Sequence, residues 1–174
     1  MRFSIKDIAV TASCISIIFV QEQLFSILPN IQLTILLLVL FSKKLGLIKT
    51  SIIVLIHSLL DSLVTGSLNL YYFPFMLMGW LFVPIIICLF FKKVESSLVL
   101  ALMGIVFSLV YSWIYIIPNV LIPNEAITKV SFINYLAADC LFEILLSASS
   151  FLSILWLYTP CSKIFDKILK EVNT

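Results

Sequence analysis

The sequence predicts an all-α membrane protein, a single bundle of six transmembrane helices with both termini in the cytoplasm. Three observations predict it. Apolar residues make up 62% of the 174 positions and charged residues only 11%, against about 25% charge in soluble domains, and the mean hydropathy is +1.19. The apolar residues fall into six separable segments. Of the eleven Lys and Arg, all but Lys129 lie in stretches that six alternating helices bring to one side.

The first segment runs from about Ile5 to Leu28 and stops at Pro29-Asn30, a turn signal. It follows Arg2 and Lys6 as a signal peptide would, but Gln21-Glu22-Gln23 stands where a small-residue cleavage site is needed, so it is expected to remain as the first helix. The second segment, Ile31 to Ser42, has only 12 residues, about 18 Å of helix against a hydrocarbon core of roughly 30 Å. Either neighbours shield a tilted helix, or the Pro-Asn turn dips into the membrane. The third runs from Leu45 to Thr65, the fourth from Tyr72 to Phe91 and the fifth from Leu98 to Ile117. Pro118, Pro123 and Asn124 mark the next connection, and the sixth helix spans Ser131 to Tyr158. Pro160 is expected to end it, leaving Cys161 to Thr174 as a short amphipathic tail.

The basic residues orient this bundle. Arg2, Lys6, Lys43, Lys44, Lys49, Lys92, Lys93, Lys163, Lys167 and Lys170 share one side, which the positive-inside rule assigns to the cytoplasm. A single membrane domain, residues 1–174, accounts for the whole length and leaves no room for a soluble catalytic domain. The glycines Gly46, Gly66, Gly79 and Gly104 are isolated, so none forms a phosphate-cradling loop. Cys14, Cys88, Cys140 and Cys161 lack ligand spacing and read as buried free thiols. No cofactor, metal or nucleic-acid partner is expected; the surrounding partner is the lipid bilayer.

Chemistry concentrates on the sixth helix. Asp139 and Glu143 are one helical turn apart, so both carboxylates share a face with Tyr135, Ser147 and Ser150. A carboxyl group within a span costs roughly 2.5–3.5 kcal/mol on insertion scales, so the pair should face a bundle interior or a water-filled cavity. Glu22 on the first helix, His57 and Asp61 on the third, Trp80 on the fourth, and Trp113 and Tyr115 on the fifth fall in the same outer half. His57 and Asp61 read as a structural hydrogen bond ahead of a proton relay, and Gln21 and Gln23 as helix-bridging amides. Ala9 with Ser13, and Ala12 with Ser16, make two overlapping small-xxx-small pairs on the first helix, a spacing that lets another helix approach closely.

These features resemble the S-components of energy-coupling factor transporters. The segment Leu28-Pro-Asn-Ile-Gln-Leu-Thr34, the apolar run ending in Lys-Lys-Leu-Gly46, and the Gly79-Trp80 pair are similar to parts of such subunits. The resemblance implies a membrane-embedded subunit that captures a vitamin or related micronutrient from outside. It also implies partners: a transmembrane coupling subunit and two cytoplasmic ATPase subunits, which would carry out ATP hydrolysis. It implies a docking face at Ala9, Ala12, Ser13 and Ser16, and an outer pocket that includes Asn30, Trp80, Trp113, Asn134 and Asp139. The residues themselves add Glu22, Tyr135 and Glu143 as candidate ligand contacts.

The outer and intramembrane acidic residues are Glu22, Asp61, Glu125, Asp139 and Glu143, against Lys129 and His57. Protonated carboxyls could donate hydrogen bonds to a neutral ligand; ionised ones could bind a cation or amine. Both readings disfavour an anion and favour a neutral-to-cationic, ring-containing nutrient. Two other classes compete with the importer. A structural subunit of another membrane complex would explain the helices but not an outer acidic cavity. An intramembrane enzyme would need a nucleophile with a base, or a His/Glu metal set, and the chain has one His and no HExxH.

Overall fold

The computed structural model describes residues 4–28, 30–64, 66, 68–122 and 131–173. The expectations placed on Arg2, Pro29, Thr65, Pro123, Asn124, Glu125, Lys129 and Thr174 lie outside them. The chain is all-helical, with no strand among the described residues. Its helices are α1 (Ile5–Phe25), α2 (Thr34–Leu45), α3 (Leu47–Val64), α4 (Phe73–Ile86), α5 (Ser97–Trp113) and α6 (Phe132–Asn173). A π-helical turn, Ile87–Phe91, extends α4, and another, Ile117–Leu121, follows α5. By length and composition α1, α3, α4, α5 and α6, the fourth and fifth with their π-turns, are long and apolar enough to cross a membrane.

The short α2 is the axis. It touches each of the other five helices, and Ile35, Leu36, Leu38, Val39, Leu40 and Phe41 are all buried. Neighbouring helices rather than lipid therefore surround a segment too short to span. It begins at Thr34 and ends at Leu45, three residues later at each end than the apolar run Ile31 to Ser42 suggested. Segment 26–33 is what displaces its start. There α1 stops at Phe25 instead of Leu28, and Asn30 takes a left-handed backbone with φ 57°, a conformation Asn tolerates better than most residues. At the other end Gly46, with φ 82°, turns the chain directly into α3, a conformation costly for any residue with a Cβ.

The lysine-rich ends gather at one end of the bundle. A Ser4–Asp7 capping box starts α1, and Asp7 Oδ1 meets Lys49 Nζ at 2.5 Å. Lys44 Nζ pairs with Asp166 Oδ2 at 2.7 Å. Lys43 donates to the carbonyls of Phe91, Lys92 and Val94, capping the end of the α4 π-turn, where unpaired carbonyls attract cations. Lys6 and Leu169 line one small cleft here, so the described starts and ends of the chain lie at the same end.

Pro160 does not end α6, and Cys161 to Val172 is not a separate tail. The 42-residue helix continues through the proline. Contacts beyond it offset the lost backbone hydrogen bond: Phe165 packs on Phe41 at 5.5 Å between ring centroids, Ser162 is buried, and Asp166 pairs with Lys44. Outward faces remain apolar on every long helix, with Val20, Leu24, Leu59, Leu63, Leu141 and Trp156 exposed, as for surfaces covered by lipid rather than water.

The most extensive helix contact joins α5 to α6. Gly104 and Ser108, one turn apart, are buried against α6. A Cβ at Gly104 would lie 2.8 Å from Ile154 Cδ1 and 3.4 Å from the Ser150 carbonyl oxygen. The Ile154 tip can move but the backbone carbonyl cannot, so Gly104→Val should force the helices apart. Its expected cost is about 1–3 kcal/mol, read as a lower melting temperature of the purified protein; unchanged melting would show that the helices do not need this close approach.

Candidate functional site

The end of the bundle opposite the lysines holds the polar groups. α1 brings Gln21 and Glu22 there, α3 brings His57, Ser58 and Asp61, α4 brings Trp80, and α5 brings Tyr111 and Ser112. Two adjoining chambers result, sharing Asn30 and Tyr111 as common wall. The first has a volume of about 290 Å³ and the second about 240 Å³. Each is near the lower end of small-molecule pockets, roughly 300–1,000 Å³.

A hydrogen-bond relay builds the wall of the first chamber. The Leu33 backbone N–H donates to Gln21 Oε1 at 2.9 Å, and Gln21 Nε2 donates to Thr34 Oγ1 at 2.8 Å. Thr34 in turn donates to Glu22 Oε1 at 2.5 Å. His57 Nε2 stands 3.3 Å from the same oxygen, with its side chain 1% exposed. The relay holds Glu22 at the start of α2, where the helix dipole favours a negative charge. His57 Nδ1 and Ser58 Oγ are buried with no hydrogen-bond partner among the described residues. Such a group costs about 1–3 kcal/mol while it stays unpaired.

Aromatic side chains form the partition. Trp80 stacks on Tyr111 with ring centroids 4.0 Å apart, and Tyr111 meets Tyr115 edge-on at 5.8 Å. Gly79 makes this stack possible, because a Cβ there would lie 2.8 Å from Tyr111 Cδ2. The Gly79-Trp80 pair thus has a physical role: one residue clears space for the ring that the next one stacks upon. Near the rim, Tyr72 OH donates to Asn119 Oδ1 at 2.6 Å and Tyr71 OH to the Pro118 carbonyl at 3.2 Å. These bonds tie the start of α4 to the π-turn after α5.

The second chamber lies against α6. Asp139 accepts a hydrogen bond from Ser112 Oγ, and Tyr135 OH donates to the Ser112 carbonyl at 3.0 Å. Ser150 and Ser108 hydroxyls meet at 3.0 Å further down. Across α2, Ser149 and Gln32 exchange hydrogen bonds at 3.0 and 3.1 Å, anchoring the segment before α2 to α6. The two chambers' described walls contain Glu22, Asp61 and Asp139 but no Lys or Arg.

Of the residues proposed from sequence, Glu22, Asn30 and Trp80 line the first chamber, and Asn30, Tyr135 and Asp139 the second. Three line neither chamber. Trp113 is 49% exposed on the outer face of α5, since its neighbour Ser112 takes the inward position. Asn134 is exposed, one residue short of the inward face occupied by Tyr135. Glu143 lines neither chamber; its Oε1 is buried without a partner among the described residues, as is Ser147 Oγ. The polar stripe therefore divides, Asp139 and Ser150 facing α5 partners while Glu143 and Ser147 stand unpaired. Sequence reasoning treated His57 as a partner of Asp61, and the structure brings its Nε2 to Glu22. It also missed Tyr111, Ser112 and Asn119, which only the rotation of α5 and its π-turn bring inward. Ala9, Ala12, Ser13 and Ser16 are all exposed on α1.

No protein-family model, curated protein or solved structure matches the chain.

Thr34 is the relay's central link, fully buried, accepting from Gln21 and donating to Glu22. Thr34→Val keeps the shape and removes both bonds, so it is expected to lower stability by about 1–3 kcal/mol. Thermal melting in detergent measures this. A variant as stable as the parent would show that the relay does not hold α1 to α2.

Proposed function

We propose that this chain is the substrate-capture subunit of an energy-coupling factor type importer, taking up a small water-soluble vitamin or related nutrient. In this reading the six-helix bundle, its short α2 enclosed by the other five helices, sits in a prokaryotic plasma membrane with both termini cytoplasmic, and the chambers open outward. A transmembrane coupling subunit and two ATPase subunits supply the energy, and this chain performs no catalysis. The observation that carries the proposal is the pair of polar, aromatic-walled chambers at the end of the bundle opposite the lysines. The positive-inside rule makes that the outer end. Such a cavity is costly in an apolar bundle unless something polar occupies it.

Ligand charge follows from the walls. With Glu22, Asp61 and Asp139 in the described chamber walls and no Lys or Arg among them, a neutral or cationic ring-bearing nutrient is favoured over an anion. Asp139 is the carboxylate of the α6 pair that meets the chamber. A thermal-shift and binding screen of water-soluble vitamins and their precursors tests the proposal, with membrane vesicles of both orientations. Binding is expected to right-side-out vesicles only. Asp139→Asn should weaken it more than tenfold, as for loss of one charged partner in a desolvated contact, whereas Glu143→Gln should change it less than threefold. Absence of any ligand, or equal sensitivity of both carboxylates, would count against this assignment.

Support for a docking face comes from α1. Ser13 and Ser16 hydroxyls donate to the Ala9 and Ala12 carbonyls of their own helix at 3.0 Å, so an exposed small-residue surface carries no unsatisfied hydroxyl. Ala12 lines an apolar groove of about 270 Å³ with Ile8, Ile15, Ile52 and Ile56. Ala12→Leu is expected to abolish co-purification with the coupling subunit while leaving ligand affinity unchanged, because the groove lies at the lysine-rich half, away from the chambers. Normal co-purification would remove this face from the interface.

A further inference from the structure

We propose that the polar edge of the ligand is read by α3, through His57 Nδ1 and Ser58 Oγ, and that this edge carries N–H donors. The ligand class is then an amine- or amidine-bearing nitrogen ring. The inference rests on the capture reading and deepens it, moving the recognition of ring substituents from α6 to the opposite wall.

Counting hydrogens in the relay assigns the imidazole. Gln21 Nε2 donates to Thr34 Oγ1, and the Thr34 hydroxyl hydrogen goes to Glu22 Oε1 at 2.5 Å rather than to Gln32 Oε1 at 3.2 Å. His57 Nε2, 3.3 Å from that oxygen, donates to it as well. A neutral imidazole with its hydrogen on Nε2 has a lone pair on Nδ1. Nδ1 is buried without a protein donor, and so is the hydroxyl of Ser58, the next residue; both residues are 1% exposed and line the first chamber. An acceptor and a hydroxyl on consecutive residues of one chamber wall match a group with two hydrogens, such as a ring amine, which can give one to each.

The same wall rejects the alternative. A carboxylate would set its lone pairs against that of Nδ1 and its charge against Glu22 and Asp61. No Lys or Arg in the described chamber walls would compensate. The stacked Trp80 and Tyr111 line the same chamber as His57 and Ser58, and the second chamber lies on the other side of Tyr111 and Asn30.

The test uses the purified full-length protein in lipid nanodiscs and isothermal titration calorimetry. The probes are 4-aminopyrimidine and benzamidine, with benzoate and pyridine-3-carboxylate as anions of matching shape. The amine and amidine are expected to bind at least tenfold more tightly than the anions. Ser58→Ala should raise the melting temperature of the ligand-free protein, because it deletes an unpaired buried hydroxyl, yet weaken the amine probes at least tenfold; a merely structural serine would not do both. His57→Gln, which keeps an amide N–H for Glu22 but removes Nδ1, should stay folded and lose affinity similarly. Amine affinity within twofold of the parent in both variants would overturn the assignment, as would preference for the anions. Binding of none of the four probes would overturn it too, even where the vitamin screen finds an Asp139-dependent ligand and the capture reading stands.

Discussion

The length of α2 is the constraint on which the rest depends. Twelve residues give about 18 Å of helix, roughly 12 Å less than a hydrocarbon core, yet this helix is the one that all others pack around. Its C-terminal end is pinned: Lys43 holds the end of the α4 π-turn, Lys44 holds Asp166, and Gly46 turns at once into α3. The shortfall is therefore taken up at its N-terminal end. There the surrounding helices continue and the central one does not, so their inward faces meet space instead of side chains. The chambers are the consequence of an axis that stops early.

A cavity of this origin has to be lined differently from the packed half. Beside α2 the inward residues are Ile18, Ile53, Val54, Val83, Ile87, Leu100 and Ile154, all buried. Beyond its start the same helices present Glu22, His57, Asp61, Trp80, Tyr111 and Asp139. On α1, α3 and α4 the change occurs within about one turn, from Ile18 to Glu22, Val54 to His57 and Val83 to Trp80. The Gln21–Thr34–Glu22 relay sits at this boundary and satisfies the first polar groups of α2 with side chains of α1. It also gives Glu22 a structural role, since its Oε1 accepts from Thr34 at the start of α2 and stands 3.3 Å from His57 Nε2.

Helix number and order were legible because apolar runs and their breakers survive any tertiary context. Segment starts on α3, α5 and α6 were read to within a few residues for that reason. What failed was local grammar overridden by packing. Pro160 carries a helix-stop signal, but the buried Ser162, the Phe165–Phe41 contact and the Lys44–Asp166 pair lie beyond it and hold the helix on course. Site residues divided along the same line. Helical periodicity placed Tyr135 and Asp139 on one face correctly, and it took Glu143 with them because a 40° offset between successive turns is invisible without the partner helix. Trp113 was chosen for its chemistry, whereas the inward place belongs to Ser112, a residue too plain to be noticed.

Ser112 shows why the site is more than the sum of its acidic residues. Its hydroxyl serves Asp139 and its carbonyl serves Tyr135, so one small residue on α5 sets two side chains of α6. Gly104 and Ser108 on the same helix keep α5 and α6 close enough for this to happen, and Gly79 does the equivalent for Tyr111 against Trp80. Close backbone approach in the packed half thus fixes the positions of polar and aromatic groups in the open half. Rigid helices transmit that geometry upward, and the chamber walls are defined by side chains that pack several turns away from any ligand.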